Sequence, residues 1–162
     1  MSPVLYREYP VGILGLVDDG RGLSRVFLRR EGVSCDLPER ETALTAWAAA
    51  ELEEYFDRRR TVFTVPLSPH GTKFRLAVWQ ALREIPYGQT RTYGEIAAAV
   101  GRPRAARAVG MANHDNPLLI FTPCHRVVGR DGALTGFACG LEIKRQLLEL
   151  ESVRLINSKI PR

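Results

Sequence analysis

Short branched apolar runs and turn signals alternate at the start of the chain. Val11-Gly12-Ile13-Leu14-Gly15-Leu16-Val17 and Arg25-Val26-Phe27-Leu28, separated by Asp18-Asp19-Gly20, predict strands within Val4 to Leu28. From Glu41 to Arg60 the period becomes helical. Leu44, Trp47, Ala48, Leu52, Tyr55 and Phe56 form the apolar stripe, with acids on the other face. Val62-Phe63-Thr64-Val65 predicts one more strand. This first part reads as a small α/β unit whose residues suggest a scaffold rather than chemistry. Two prolines and a glycine in Pro66-Leu67-Ser68-Pro69-His70-Gly71 mark a linker. The expected division is a scaffold over 1–66, a linker over 67–71 and a second domain over 72–162.

The second domain reads as helical. Thr72 is placed to cap a helix running to Ile85, with Phe74, Val78, Leu82 and Ile85 as its stripe and Trp79 beside it. Pro86-Tyr87-Gly88 stops it. A short helix, Tyr93 to Val100, and a helix of small residues, Arg104 to His114, flank the tight turn Gly101-Arg102-Pro103. Two short helices joined by a glycine-containing turn make a helix-turn-helix candidate. The alternative is a helix of small residues packed tightly on its neighbour. Repeats and low-complexity segments are absent.

Length adds that 162 residues make one domain or two small ones. Hydrophobic residues at 45% and charged residues at 25% exclude a disordered chain, a coiled-coil rod and a collagen-like repeat. The longest apolar stretch, Val11 to Val17, falls far short of the ~20 residues of a membrane span. The N-terminus lacks a basic start followed by an apolar core, so no secretory signal is expected. Cys35, Cys124 and Cys139 are odd in number and show no metal spacing with one another or with His70, His114 and His125. They read as thiols of a reduced cytoplasmic protein, with no metal site.

Charge matters once it is divided. The net +5 splits into −2 over residues 1–70 and +7 over 71–162. A basic second half suits a polyanion such as nucleic acid, although many basic domains bind nothing acidic.

The sharpest local string is Phe121-Thr122-Pro123-Cys124-His125-Arg126-Val127-Val128. A lone cysteine is most often a small buried hydrophobe, and adjacency in sequence does not bring the Cys and His side chains together. On the residues alone, Cys124 is open to both readings, nucleophile and core thiol.

Pro123-Cys124-His125-Arg126-Val127 resembles the active-site signature of the O6-alkylguanine-DNA alkyltransferases. The resemblance extends over almost the whole second half, in order. It takes in Gly71-Thr72-Lys73-Phe74 with Val78-Trp79, then Ile85-Pro86-Tyr87-Gly88-Gln89-Thr90 and Tyr93-Gly94. Next come Ala105-Ala106-Arg107-Ala108-Val109-Gly110, similar to the recognition helix, and Asn116-Pro117, similar to the hinge before the active site. Gly132-Ala133-Leu134-Thr135-Gly136-Phe137 and Lys144-Arg145-Gln146-Leu147-Leu148 follow. The first half resembles the family only loosely.

The resemblance implies a small N-terminal α/β (ribonuclease-H-like) domain followed by a helical, winged helix-turn-helix-like domain. It also implies suicidal repair of double-stranded DNA containing O6-alkylguanine, and O4-alkylthymine, by a cofactor-free monomer, with cooperative binding on DNA left open. Cys124 would be the acceptor: a thiolate is a soft nucleophile suited to a saturated carbon, and a free thiol near pKa ~8.5 needs a base. His125 would be that base, acting through a water, with Glu151, rather than Glu149, orienting it. Asn116 would tie the turn before the site. Tyr93 would give a proton to the leaving guanine and crowd the flipped nucleotide's phosphate. Arg107 would fill the gap left by the extruded base. Ala106 and Gly110 would let the helix approach the minor groove, and Arg102 and Arg130 would hold phosphates. Met111, Val127, Phe137, Ala138 and Cys139 would line the pocket. Phe137 stands where many relatives have Tyr, which implies one hydroxyl fewer in the pocket wall, and Cys139 where many bacterial relatives have Trp, which implies a roomier pocket. A helix-turn-helix regulator with a structural Cys124 and a turnover cysteine hydrolase are the competing readings.

Overall fold

The computed structural model describes residues 2–30, 35–135 and 140–153. The chain forms two compact units, Met1–His70 with Pro117–Leu119, and Gly71–Asn116 with Ile120–Arg162. The mixture of a small antiparallel sheet with helices agrees with the expected α/β-plus-α class.

The first unit is an antiparallel meander of β1 (Val4–Tyr9), β2 (Gly12–Asp18) and β3 (Leu23–Leu28), followed by α1 (Ala43–Phe56). Leu14, Leu16 and Val26 are buried. They point to one side of the sheet because side chains alternate along strands. On the other side, Tyr6, Gly15 and Phe27 lie in register across the three strands. The two rings meet edge-on with centroids 6.1 Å apart. A Cβ on Gly15 would stand 2.4 Å from Phe27 Cζ, so that close approach requires glycine. Thr42 caps α1 by accepting from Thr45 N–H. Asp19 collects the amides of Arg21 and Gly22, the Ser68 hydroxyl and the His70 ring. Residues 66–70 are thereby pinned along the first unit.

Two expectations fail here, for one reason. Val62–Val65 is not a strand. The Glu51 carboxylate takes the amides of Thr64 and Val65 at 2.9 Å each, and the Thr64 hydroxyl at 2.7 Å. Those donors are therefore unavailable to a ladder. Glu51, read as part of the solvent face of α1, is 2% exposed, while Trp47, read as core, is 46% exposed. The buried carboxylate rotates the helix's inner face away from the plain apolar stripe.

The second unit comprises α2 (Lys73–Arg83), β4 (Arg91–Thr92), α3 (Tyr93–Ala99) and α4 (Ala106–His114). A single 3₁₀ turn (Cys124–Arg126), β5 (Val127–Val128) and α5 (Leu141–Leu150) complete it. Thr72 caps α2, and Thr92 with Glu95 forms a capping box on α3, each cap contributing ~1 kcal/mol. The α2 stripe buries Val78 and Leu82, and Trp79 Nε1 donates to Ala112 O at 2.8 Å, tying α2 to α4. The helix expected from Arg104 begins at Ala106, because Arg104 and Ala105 lie in the turn that Ala105 N–H closes onto Arg102 O. β4 and β5 pair in parallel, Thr92 opposite Val128. That ladder brings the start of α3 beside the end of the Cys124 turn. No helix among the described residues is long and apolar enough to cross a membrane.

Replacing Glu51 with Gln keeps the volume but leaves amides of Thr64 and Val65 short of acceptors. We expect a loss of about 1–3 kcal/mol in urea unfolding. A change within 0.3 kcal/mol would mean that the 62–65 segment is held by other contacts.

Candidate active site

Cys124 opens the 3₁₀ turn behind Pro123, and its amide donates to Thr122 O at 2.8 Å. The same carbonyl accepts Asn116 Nδ2 at 2.8 Å, so Asn116 braces the residue two before Cys124. Arg83 reaches Thr122 Oγ1 from α2. Asn113 Nδ2 donates to the Cys124 carbonyl at 3.3 Å. Upstream, Ile120 holds φ 73°, a left-handed value that a β-branched residue adopts only where its surroundings enforce it. Cys124 itself is 4% exposed and packs in the core of the second unit with Val127.

His125 and Glu151 are both buried. His125 Nε2 lies 2.7 Å from Glu151 Oε2. Arg126 completes the group: Nε donates to Glu151 Oε1 at 2.8 Å, Nη2 to Oε2 at 3.1 Å and Nη1 to Ile85 O at 2.7 Å. Glu151 ends α5 as its C-cap, where the helix's own partial charge is negative. Burial and that helix end both oppose the carboxylate. The hydrogen bonds of His125 and Arg126, with the charge of Arg126, outweigh burial and hold Glu151 well below the usual carboxylate range. Burial lowers the His125 pKa against the opposing pull of Glu151, so the imidazole is neutral. A neutral ring that donates from Nε2 carries its lone pair on Nδ1. His125 Nδ1 is buried and has no hydrogen-bond partner among the described residues. The site therefore holds a thiol, an oriented neutral base and a fixed anion.

Tyr93, first residue of α3, donates from Oη to Thr135 O at 3.0 Å. Burial raises its pKa, with the Thr135 bond acting against it. Gly110 on α4 lies against the Tyr93 ring, where a Cβ would sit 3.9 Å from Cε1. Arg107 projects from the second position of α4 and is exposed, beside half-buried Ala106. Arg102 lies over the Phe74 ring at 5.5 Å, and Arg130 is exposed in the turn after β5. Met111 stands on the exposed side of α4 at 60%, whereas Val127 is fully buried. Phe137, Ala138 and Cys139 lie outside the described residues.

Of the two carboxylates weighed from sequence, Glu151 reaches His125, and Glu149 pairs with Arg145 at the surface. Sequence reasoning missed Arg126, Asn113 and Arg83, which hold the segment around Cys124, and Lys144 of α5, which is buried with its Nζ donating to Thr135 O at 2.8 Å. Arg126 stands in the signature string itself, and a basic residue beside a Cys-His pair was its only signal. No group of three or more His, Cys, Asp or Glu among the described residues is arranged to hold a metal.

Residues 73–153 match the family described as 6-O-methylguanine DNA methyltransferase, DNA binding domain. The chain is 47% identical over 147 residues to a methylated-DNA–protein-cysteine methyltransferase of Methanosarcina acetivorans, covering 89% of this chain and 94% of that one. It is 46% identical over 153 residues to the constitutive methylated-DNA–protein-cysteine methyltransferase of Bacillus subtilis, covering 90% and 93%. The crystal structure of Mycobacterium tuberculosis OGT in complex with DNA superposes with a TM-score of 0.85 at 43% identity, over 91% of both chains.

Acid should unfold this site in two stages. His125 is held neutral, so its contribution is present above its ordinary pKa of 6.5 and is lost as pH falls below it. Glu151 is held ionised, so its contribution is lost further down, as pH falls below 4.5. Urea unfolding should show stability lower at pH 5.5 than at 7.5, and lower again at pH 4. Arg126→Met leaves Glu151 buried beside one partner and should cost about 3–5 kcal/mol at pH 7.5. Equal stability at pH 7.5 and 4 would contradict this charge assignment.

Proposed function

The chain belongs to the methylated-DNA–protein-cysteine methyltransferases, enzymes of DNA repair, and from that premise we propose that Cys124 is the cysteine that takes the alkyl group. The observation that carries the reading is the buried His125–Glu151–Arg126 group beside Cys124, with His125 Nδ1 unpartnered among the described residues. A buried carboxylate, itself held by an arginine, would hardly be arranged to fix an imidazole whose remaining lone pair had no task.

The step is a displacement at a saturated carbon. His125 Nδ1 takes the Cys124 proton through an intervening water, because adjacent side chains rarely touch. Glu151 steadies the imidazolium that results, and Arg126 keeps Glu151 ionised throughout. The sulfur electron pair forms the S–C bond as the C–O6 bond breaks, and that bonding pair leaves with guanine. Tyr93 Oη gives its proton to the purine as negative charge grows there. The product is a thioether with no group nearby to reverse it, so each molecule acts once. No cofactor enters the balance. O4-alkylthymine presents the same alkyl-oxygen bond and follows the same path.

A guanine in duplex must leave the stack to reach a buried sulfur. Arg107 occupies the gap in the stack, and Ala106 and Gly110 let α4 approach the minor groove. Arg102 and Arg130 hold phosphates, a contact indifferent to sequence and suited to a protein that scans. Met111 and Val127 line the pocket. The finer reading of the fold is a ribonuclease-H-like unit over 1–66, joined by 67–71 to a winged helix-turn-helix-like unit over 72–162. The α3-turn-α4 order supports the second of these.

Cys124→Ser should bind DNA containing O6-methylguanine and never gain the methyl group, as read by intact mass. Persistent gain of one methyl would remove Cys124 from the role. Repeated turnover by the native chain would favour a hydrolase, and no transfer at all a regulator. Arg107→Ala should slow single-turnover repair at saturating duplex about ten-fold or more, with free O6-benzylguanine reacting within two-fold of the native rate. An equal loss on both substrates would show that Arg107 acts elsewhere than in extrusion.

A further inference from the structure

Two buried side-chain atoms lack a hydrogen-bond partner among the described residues, Asn113 Oδ1 and His125 Nδ1. Both belong to side chains at the Cys124 turn. Asn113 sits on α4 and is 3% exposed. The other buried residues of that helix, Val109 and Ala112, are apolar. A leucine at 113 would leave no polar atom unmatched, so a core amide with an unpaired oxygen needs a reason.

The direction of that amide is fixed. The Cys124 carbonyl can only accept, so it takes Asn113 Nδ2, at 3.3 Å, and Oδ1 is turned to the other side. The same carbonyl belongs to the peptide joining Cys124 to His125. His125 Nδ1 is the ring nitrogen nearer the backbone, because Nε2 at the far end reaches Glu151. Both orphaned atoms are thus tied to one peptide, Oδ1 through its own amide group and Nδ1 through its own side chain.

Both atoms are also acceptors. An amide oxygen offers only lone pairs, and a neutral ring that donates from Nε2 has its lone pair at Nδ1. Two acceptors cannot satisfy each other. One water molecule satisfies both with its two O–H groups, and buried waters typically bond about three polar groups at once. The Cys124 S–H supplies the third bond, to the water oxygen.

We propose that Asn113 is a positioning residue for the proton relay: its Oδ1 holds the water that carries the Cys124 proton to His125 Nδ1. This rests on the assignment of His125 as the base for Cys124. One O–H of the water stays on Asn113 throughout. The S–H bond breaks as its proton passes to the water oxygen, and its electron pair remains on sulfur. The other O–H gives its proton to Nδ1, so the water is restored beside a thiolate and an imidazolium. Asn113 fixes which O–H faces the ring, and its carbonyl dipole faces the positive charge that crosses the water. Asn116 has a different task, since its Nδ2 braces the Thr122 carbonyl.

The test pairs Asn113→Leu with His125→Ala. Leucine keeps the length and branching of the side chain and removes both polar atoms. Each single variant should slow transfer from free O6-benzylguanine about ten-fold or more at pH 7. The double variant should match His125→Ala within about two-fold, because the two residues act on one proton. The loss in Asn113→Leu should shrink above the ordinary thiol pKa of ~8.5, where solvent hydroxide takes the proton instead.

Losses that multiply in the double variant, or a loss in Asn113→Leu unchanged at high pH, would overturn the proposal and leave Asn113 as a brace for the Cys124 carbonyl. A native rate in His125→Ala would instead remove the base assignment on which the proposal rests. Should the variants not fold, the native chain provides the test. Its crystal structure should show a water within roughly 2.7–3.2 Å of both Asn113 Oδ1 and His125 Nδ1. The ¹⁵N resonance of His125 Nδ1 should be that of a bare nitrogen accepting a hydrogen bond. Asn113 Oδ1 bonded to another donor, or an Nδ1 resonance without that hydrogen bond, would overturn the proposal.

Discussion

One buried carboxylate organises the reactive half of this protein. Glu151 accepts from His125 on one oxygen and from Arg126 on both. It does so at the C-terminal end of α5, where the helix repels an anion. Without Arg126 the carboxylate would be driven toward its neutral form, and His125 would lose the acceptor that fixes its tautomer. The 3₁₀ turn supplies both partners from adjacent residues, so the geometry of Cys124 and the ionisation of Glu151 depend on the same three-residue element. Tyr87 and Gly88 close the other side: the Tyr87 ring lies 5.7 Å from the Arg126 guanidinium, and Gly88, at φ 80°, offers its amide to Glu151 Oε1. A side chain at that glycine would be strained in the left-handed region and would approach Glu151's own carbonyl.

The first unit uses the same device for another end. Glu51 is a buried acid whose acceptors replace a strand ladder with a loop held by side chain. Arg60 pairs with it at 2.9 Å. In both units a buried carboxylate with an arginine partner ties together segments that periodicity alone would treat as independent. In the first unit the result is scaffold. In the second it is a polarised imidazole beside a thiol.

The site also shows how little of its chemistry is at the surface. Cys124, His125, Glu151 and Lys144 are all buried, and the exposed members of the assigned set are Met111 and the arginines Arg102, Arg107 and Arg130. A thiol so enclosed, acting as the nucleophile proposed for it, gains strong electrostatics from the low-dielectric interior. It also requires that substrate come to it, which is why base extrusion and an arginine on a helix of small residues belong to one reading.

Local sequence was sufficient wherever the cause was local. Thr72 announces a helix start, because capping needs only neighbouring amides. The signature string around Cys124 and the small-residue helix bearing Arg107 were legible for the same reason, and so was the α/β-then-helical order. The segment 62–65, the outward Trp47 and the inward Glu51 were not. Periodicity presumes that apolar residues decide the buried face, and here an acid with four donors decided it. Arg126 and Lys144 were equally hidden: their worth lies in partners far along the chain, and a cation's partner is a matter of chain closure rather than of spacing. The sequence by itself determined which residue types were present to do the chemistry. The tertiary structure decided which carboxylate was buried, which nitrogen of the imidazole that carboxylate engaged and which lysine was taken out of water, because desolvation and distance exist only once the chain has folded.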